Sequence, residues 1–171
     1  IPPALKGQDL VVQSRTGTGK TAAFGVPLVE RVDLGIKGVQ GVVLAPTRER
    51  AVPVAEELGH IGEGRGVRVA AIYGGDSMER QNDLRESGVQ LIAGTPGRAL
   101  DHLRRGTLDL KNLKMFILDE ADRMLDMGFA EEMQKIVAFV PEERQTLLFS
   151  ATIPASIKHL IYNFLKEPVW L

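Results

Sequence analysis

Six apolar runs recur along the chain, and each of them stops on polar residues. They are DLVVQS (9–14), GVVLAP (41–46), VRVAAIY (67–73), VQLIAG (89–94), MFILD (115–119) and TLLFSA (146–151). Runs this short, rich in β-branched residues and with little polar alternation, read as strands buried on both faces of a parallel sheet. Helical patterns lie between them, over Thr21–Val32, Arg48–Leu58, Met78–Glu86, Pro96–Arg104, Ala130–Phe139 and Pro154–Phe164. The last sets Ile157, Leu160, Ile161 and Phe164 at helical spacing behind Pro154, where a missing N–H costs little. A final short strand is expected over Pro168–Leu171, and the Gly-rich stretch 63–68 reads as a loop. Strand–helix alternation predicts an α/β domain with right-handed crossovers. Ligands in such sheets bind outside the carboxyl ends of the strands. Here those ends read SRTGTGKT, APTRE, YGG, GTPGR, DEAD and SAT, polar in every case.

Composition narrows the function classes. The chain has 171 residues, enough for one domain with a sizeable core, and 44% of them are hydrophobic against 25% charged. No apolar run is long enough to span a bilayer and no signal peptide is visible, so no membrane partner is expected and a cytoplasmic location is. The sequence opens abruptly at Ile1, so an upstream segment is expected. With no cysteines, disulfides and thiolate metal sites are excluded. His60, His102 and His159 are too far apart for a ligand pair and read as surface or helix-end residues. The formal net charge is -1, so a nucleic-acid site has to be a local patch rather than a basic surface.

Two motifs carry chemistry. Residues Ser14, Arg15, Thr16, Gly17, Thr18, Gly19, Lys20 and Thr21 follow a buried strand and open a helix. Glycines there let backbone N–H groups turn inward as an anion nest, and the helix N-terminus adds partial positive charge. Lys20 is placed to reach nucleotide phosphates, and Thr21 to coordinate Mg²⁺. The strict phosphate-loop pattern has glycine where this chain has Ser14. The second motif is MFILDEADRM (115–124), where a greasy run meets Asp119, Glu120 and Asp122. An acidic first turn of a helix accounts for any one of these carboxylates. It does not account for an upstream phosphate loop, which needs a metal ligand, here Asp119, and a group to polarise water, here Glu120.

Taken in order, SRTGTGKT, APTRE, YGG, TPGR, DEAD and SAT resemble the DEAD-box RNA helicases of superfamily 2 across essentially the whole chain. DEAD followed by MLDMGF, and RQTLLFSAT, are particularly specific. The resemblance implies a three-layer RecA-like P-loop domain with a mostly parallel central sheet flanked by helices. It implies an ATP-dependent RNA helicase using ATP and Mg²⁺, with residues 1–171 as its N-terminal RecA-like domain. Lys20, Asp119 and Glu120 are then catalytic, Arg15 to Thr21 bind the nucleotide, and Thr21 and Asp119 hold the metal. Pro46, Thr47, Arg48, Gly74, Gly75, Thr95, Pro96, Gly97 and Arg98 line the RNA sugar-phosphate backbone without reading sequence. Taken alone, TPGR is equally a capped helix with a spare arginine. Ser150, Ala151 and Thr152 couple the nucleotide site to an inter-domain cleft, with Asp122 in the same polar network.

The resemblance places an adenine-recognising glutamine upstream of Ile1 and a second RecA-like domain with arginine fingers beyond Leu171. Within the chain it is broken at three positions. Ser14 replaces alanine, a small-for-small change. Arg50 replaces leucine after APTRE and reads as either an added phosphate contact or a solvated side chain. Pro53 replaces glutamine, and an interior proline costs about 3 kcal/mol, so a kink or a late helix start near Val52 is expected. Two other functions compete with the helicase, a DNA-acting superfamily 2 translocase and a nucleotide-dependent RNA clamp or scaffold with little turnover. Glu120 argues against the clamp, which has no need of a water-polarising carboxylate. An unrelated P-loop kinase has no need of the GG, TPGR and SAT series.

Overall fold

The structure is a computed structural model that describes residues 2–14, 20–74, 84 and 87–171, with Lys20 described by its backbone alone. Each apolar run folds as a strand: β1 (Leu10–Gln13), β2 (Gly41–Leu44), β3 (Val69–Ile72), β4 (Leu91–Gly94), β5 (Met115–Leu118) and β6 (Gln145–Ser150). The short terminal strand is β7 (Val169–Trp170). Among the described residues these seven strands form one sheet in the order β3-β4-β2-β5-β6-β1-β7, and every pairing in it is parallel. The expected sheet was mostly parallel; the observed one is wholly so.

Helices cover both faces. They are α1 (Pro2–Leu5), α2 (Lys20–Arg31), α3 (Arg48–Gly62), α4 (Pro96–Arg105), α5 (Ala121–Asp126), α6 (Ala130–Val137) and α7 (Ala155–Phe164). Side chains alternate across a strand, and β5 shows the result directly. Met115 and Ile117 pack with Phe24 and Leu28 of α2 and Val54 and Leu58 of α3. Phe116 and Leu118 pack with Leu100 of α4, Met124 of α5, Met133 of α6 and Ile157 of α7. Strands sandwiched this way need apolar residues at every position, which explains the unbroken runs in the sequence.

Local signals set the helix ends. Pro96 occupies the first position of α4, and Gly106 closes that helix in the left-handed region (φ 76), donating its N–H to the His102 and Leu103 carbonyls. The loop expected at 63–68 contains one 3-10 turn, Glu63–Arg65, followed by Gly66 at φ 76. The late start expected for α3 is not found. The helix begins at Arg48 and runs through Pro53 to Gly62. Its first turn is already closed by the Ala51 N–H to Thr47 carbonyl bond at 2.9 Å before the proline is reached. The Pro53 ring is exposed, while burial of Val54 and Leu58 holds the helix against the sheet. Packing here outweighs one lost backbone bond. A second helical proline, Pro27, is buried inside α2. The helix expected over Met78–Glu86 lies outside the described residues, Leu84 apart.

The three histidines are surface or helix-end residues as expected, and His102 is the helix-end one. His60 and His159 are exposed, but His102 in the last turn of α4 is 0% exposed. The Thr107 hydroxyl donates to the His102 carbonyl at 3.2 Å, so its single proton is used. The 2.7 Å contact between His102 Nδ1 and Thr107 Oγ1 is then a bond donated by Nδ1. Burial, with Arg98 next in effect, lowers the His102 pKa and keeps the ring neutral. It is a structural residue of the α4 C-terminus.

Gly94 shows how closely the strands approach near the candidate site. A Cβ at this position would lie 2.8 Å from the Ile72 carbonyl oxygen and closer still to the Ile72 side chain. Because backbone is in the way, Gly94→Ala should lower stability by about 1–3 kcal/mol, the usual cost of overpacking a core. Urea unfolding followed by circular dichroism measures it; an unchanged midpoint would show that β3 and β4 have room to separate.

Candidate nucleotide and RNA site

Because every strand runs the same way, all their carboxyl ends meet on one rim. The sheet order then sorts the motifs along that rim. The ends of β3, β4 and β2 lie side by side, followed by those of β5, β6 and β1. The first group carries Gly74, Thr95–Arg98 and Pro46–Arg48, the described residues among the expected RNA contacts. The second carries Asp119–Asp122, Ser150–Thr152 and the start of α2, the expected nucleotide groups. Arg15, Thr16, Gly17, Thr18, Gly19 and Gly75 lie outside the described residues. Lys20 is the first residue of α2, one position earlier than the helix expected from Thr21, and Thr21 is buried beside it.

At the end of β5, Asp119 extends the ladder by donating its N–H to the Leu44 carbonyl at 2.9 Å. Its side chain is 0% exposed. Glu120 follows with φ 52 and ψ 51, in the left-handed region that non-glycine residues rarely adopt. Such a conformation costs on the order of 1–3 kcal/mol and persists only where the surroundings impose it. Here Ala121 and Met124 of α5 are fully buried on the far side and fix the turn.

The satisfaction of buried polar groups differs between the two rims of the sheet. At the amino rim, Gln40 accepts from the Asp33 N–H and donates to the Asp33 and Ile36 carbonyls. Gln145 donates to the Ala4 and Gln8 carbonyls and accepts from Arg31. Asp9 accepts from the Thr146 and Lys166 N–H groups. At the carboxyl rim, Asp119 Oδ1 and Glu120 Oε2 are buried without a hydrogen-bond partner; the other such atoms among the described residues are His102 Nε2 and Glu132 Oε2. Buried acceptors without partners are costly. Among the described residues, Glu120 Oε2 has only the Arg123 guanidinium nearby, at 3.9 Å. The two adjacent carboxylates, on a strained turn, therefore keep acceptor capacity that a cation and a water suit.

Arg50 corrects the sequence reading. Neither expected role, a phosphate contact or a solvated side chain, describes it. Its Nε donates to Asp119 Oδ2 at 2.6 Å and its Nη2 to Thr21 Oγ1 at 3.4 Å. Sequence reasoning singled out Arg50 as a departure but missed its partner. The available signal was only that a cation in the first turn of a helix is opposed by the helix dipole; the partner across the sheet was not in it.

The expected network joining DEAD and SAT is present. Thr152 donates to Asp122 Oδ2 through both its N–H, at 3.1 Å, and its hydroxyl, at 2.9 Å. The Asp122 N–H donates to Ser150 Oγ at 3.2 Å, and that hydroxyl donates to the Thr152 carbonyl at 2.7 Å. Ala151 is exposed, and its carbonyl accepts from Gln13 Nε2 at the end of β1. On the other half of the rim, the exposed Arg48 guanidinium lies 4.8 Å from the centre of the Tyr73 ring, a cation–π contact that the sequence did not suggest. Thr47 and Thr95 stand at the N-cap positions of α3 and α4, Pro46 and Pro96 are buried, and Gly74 and Gly97 are exposed. Arg98 is half-buried in the first turn of α4, and Thr95 at the N-cap makes no side-chain capping bond.

The sequence profile described as DEAD/DEAH box helicase matches residues 1–160. The chain belongs to that family. DEAD-box ATP-dependent RNA helicase CshA of Bacillus cereus is 52% identical over 168 residues, which is 98% of this chain and 32% of that protein. CshA of Geobacillus kaustophilus is 51% identical and is covered over 36% of its length. The chain therefore spans about a third of the length of these curated relatives. Among solved structures, a DEAD box protein from the hyperthermophile Methanococcus jannaschii superimposes with a TM-score of 0.94 at 42% identity, over 99% of this chain and 46% of that one. A hypothetical ATP-dependent RNA helicase from Sulfolobus tokodaii gives a TM-score of 0.90 at 36% identity, over 99% of this chain and 49% of that one. The fold is the RecA-like domain of this DEAD-box family.

The Asp122 network makes a pH prediction. Burial pushes the Asp122 carboxyl up, but bonds from the Thr152 hydroxyl and N–H and from the Arg123 N–H outweigh it and hold the pKa below the ordinary value. A carboxylate depressed in the fold stabilises it above the unfolded pKa, about 3.9, and that stabilisation is lost as pH falls through the folded value. Carboxyl-carbon NMR titration should find an Asp122 midpoint below that of a free aspartate, and Thr152→Val should raise it. An unmoved midpoint in the variant would show that Thr152 is not what holds the charge.

Proposed function

We propose that this chain is the N-terminal, ATP-binding RecA-like domain of an ATP-dependent RNA helicase. What chiefly supports this is the pair of buried, incompletely satisfied carboxylates at Asp119 and Glu120, on the same rim as the N-terminus of α2. In this reading Lys20 and the preceding residues Arg15 to Gly19 hold nucleotide phosphates. Thr21 and Asp119 hold Mg²⁺, which when bound offsets the negative charge of the phosphates. Mg²⁺ keeps several waters and takes one or two protein groups plus phosphate oxygens. Among the described residues no group of three or more His, Cys, Asp or Glu forms a protein cage, and this kind of site has no need of one.

Glu120 is held within the site by its left-handed backbone and orients and polarises the attacking water. The Asp122–Ser150–Thr152 bonds transmit the state of the nucleotide site toward the face that carries SAT. Thr47, Arg48, Gly74, Gly75 and Thr95–Arg98 receive the sugar-phosphate backbone of RNA. Helix N-termini, exposed glycines and arginines suit phosphate contacts that carry no sequence information. The Arg48–Tyr73 stack holds one of those arginines in place. A second RecA-like domain closes on this rim and contributes arginine fingers, which in phosphoryl transfer are worth about 10³–10⁵ in rate.

Glu120→Gln should leave Mg-ADP binding unchanged in calorimetry and lower kcat by about 10²–10⁴-fold in the two-domain enzyme, the usual scale for a lost acid–base group. Normal turnover would remove Glu120 from the chemistry. Lys20→Ala should abolish Mg-ADP binding by this chain without changing its far-UV circular dichroism. RNA and single-stranded DNA are compared in the same phosphate-release assay, and equal stimulation by DNA would point to a DNA translocase instead. Arg98→Ala should weaken RNA binding alike for all sequences and lower the salt slope by about one contact.

A further inference from the structure

The candidate metal site already contains a cation that belongs to the protein. Arg50 bonds through Nε to Asp119 Oδ2 and through Nη2 to Thr21 Oγ1, so one guanidinium spans both groups proposed as metal ligands. The pair is well shielded, with Asp119 wholly buried and the Arg50 side chain 22% exposed. Arg50 extends from the first turn of α3, where the helix dipole disfavours a positive charge. Its position is therefore not explained by its own helix; Asp119 accounts for it. The remaining oxygen, Oδ1, has no partner, so the arginine neutralises the carboxylate without saturating it.

We infer that Arg50 is a tethered counter-cation that occupies the divalent-metal position and is displaced when metal and nucleotide bind. The inference rests on the metal-site reading of Thr21 and Asp119. An arginine remains charged at any pH a protein tolerates, so Asp119 is freed only by moving the side chain. Metal binding therefore includes the loss of one charge-assisted bond. In exchange, the metal-free domain is spared an uncompensated buried carboxylate, which is expensive. Arg50 lowers the apparent metal affinity and stabilises the empty site, two effects with one cause.

Mn²⁺ is the probe, because it takes the same oxygen ligands as Mg²⁺ and its free signal is read by electron paramagnetic resonance. It is titrated into the chain with saturating ADP for wild type, Arg50→Leu, Arg50→Lys and Asp119→Asn, and melting temperatures are recorded with and without the metal. Arg50→Leu should bind Mn²⁺ about 10-fold more tightly than wild type, equivalent to 1.4 kcal/mol. It should also melt lower without metal and gain more on adding it. If Arg50→Leu does not fold without metal, Arg50→Lys carries the test. It keeps the charge but loses the second arm toward Thr21, and should fall between wild type and the tighter value. Metal affinity equal to or weaker than wild type in whichever folded variant is measured would overturn the inference. Asp119→Asn separates the two levels: if it binds Mn²⁺ as wild type does, the metal-site reading falls and the Arg50 proposal with it.

Discussion

The central ladder of β2, β5 and β6 imposes the constraint on which the rest depends. Each strand is buried on both faces and hydrogen-bonded on both edges, with Met115 aligned to Gly41 and Gln145, and Leu118 to Leu44 and Leu148. A strand so enclosed offers no surface for function along its length. Chemistry is confined to its ends, and parallel pairing sends all the carboxyl ends to one rim. The two rims are then treated oppositely. Asp9, Gln40 and Gln145 at the amino rim have their polar groups bonded across several segments, including α1, α2 and the 164–166 turn, and they knit the fold. At the carboxyl rim, bonding capacity is held back at Asp119 and Glu120. The amino rim is bonded into the fold, and the proposed chemistry lies at the other.

Strand order divides that reactive rim again. The residues proposed for nucleotide follow β1, β5 and β6, and those proposed for RNA follow β2, β3 and β4, so the two halves meet between β2 and β5. Besides the Arg50–Thr21 bond, two contacts cross or approach this boundary. The Asp119 N–H to Leu44 carbonyl bond prolongs the ladder past the last strand residues. The Arg50–Asp119 pair joins the first turn of α3, two residues beyond Arg48, to the end of β5. A change in what Asp119 holds is therefore felt first by the helix that carries Thr47 and Arg48. Under the proposed function, this is a short mechanical route between the nucleotide and RNA halves of the rim.

The strands were legible in the sequence because burial on both faces leaves no other pattern for a short apolar run. Helix existence was legible for the same reason, in the stripe of Ile157, Leu160, Ile161 and Phe164 that packs as expected. What was misread depended on partners distant in sequence. Pro53 looked disruptive because local propensity sees the lost N–H and not the anchoring of Val54 and Leu58 against the sheet. Arg50 and Asp119 are 69 residues apart, and their pairing follows only from the adjacency of β2 and β5. The site was legible as motifs, which fix residue types at strand ends. The electrostatics between those ends was not, because it depends on strand order rather than on spacing.

Glu120 shows why such a site has to be built on a core rather than on a loop. Its left-handed backbone is unfavourable in isolation, and α5, at six residues, is too short to be stable by itself. The turn is held because Ala121 and Met124 are driven into the same apolar layer as Leu118 and Phe116. The Met124 N–H also bonds back to the Glu120 carbonyl at 3.1 Å. Burial of two small-helix residues thus sets the direction of a carboxylate that would otherwise relax into solvent. The same turn presents the Asp122 N–H to Ser150 and its carboxylate to Thr152, so positioning the acid and linking it to β6 are one structural event. A substitution that loosened Met124 would disturb both without touching either polar group, which is why a hydrophobic residue six positions past the strand belongs to the machinery of the site.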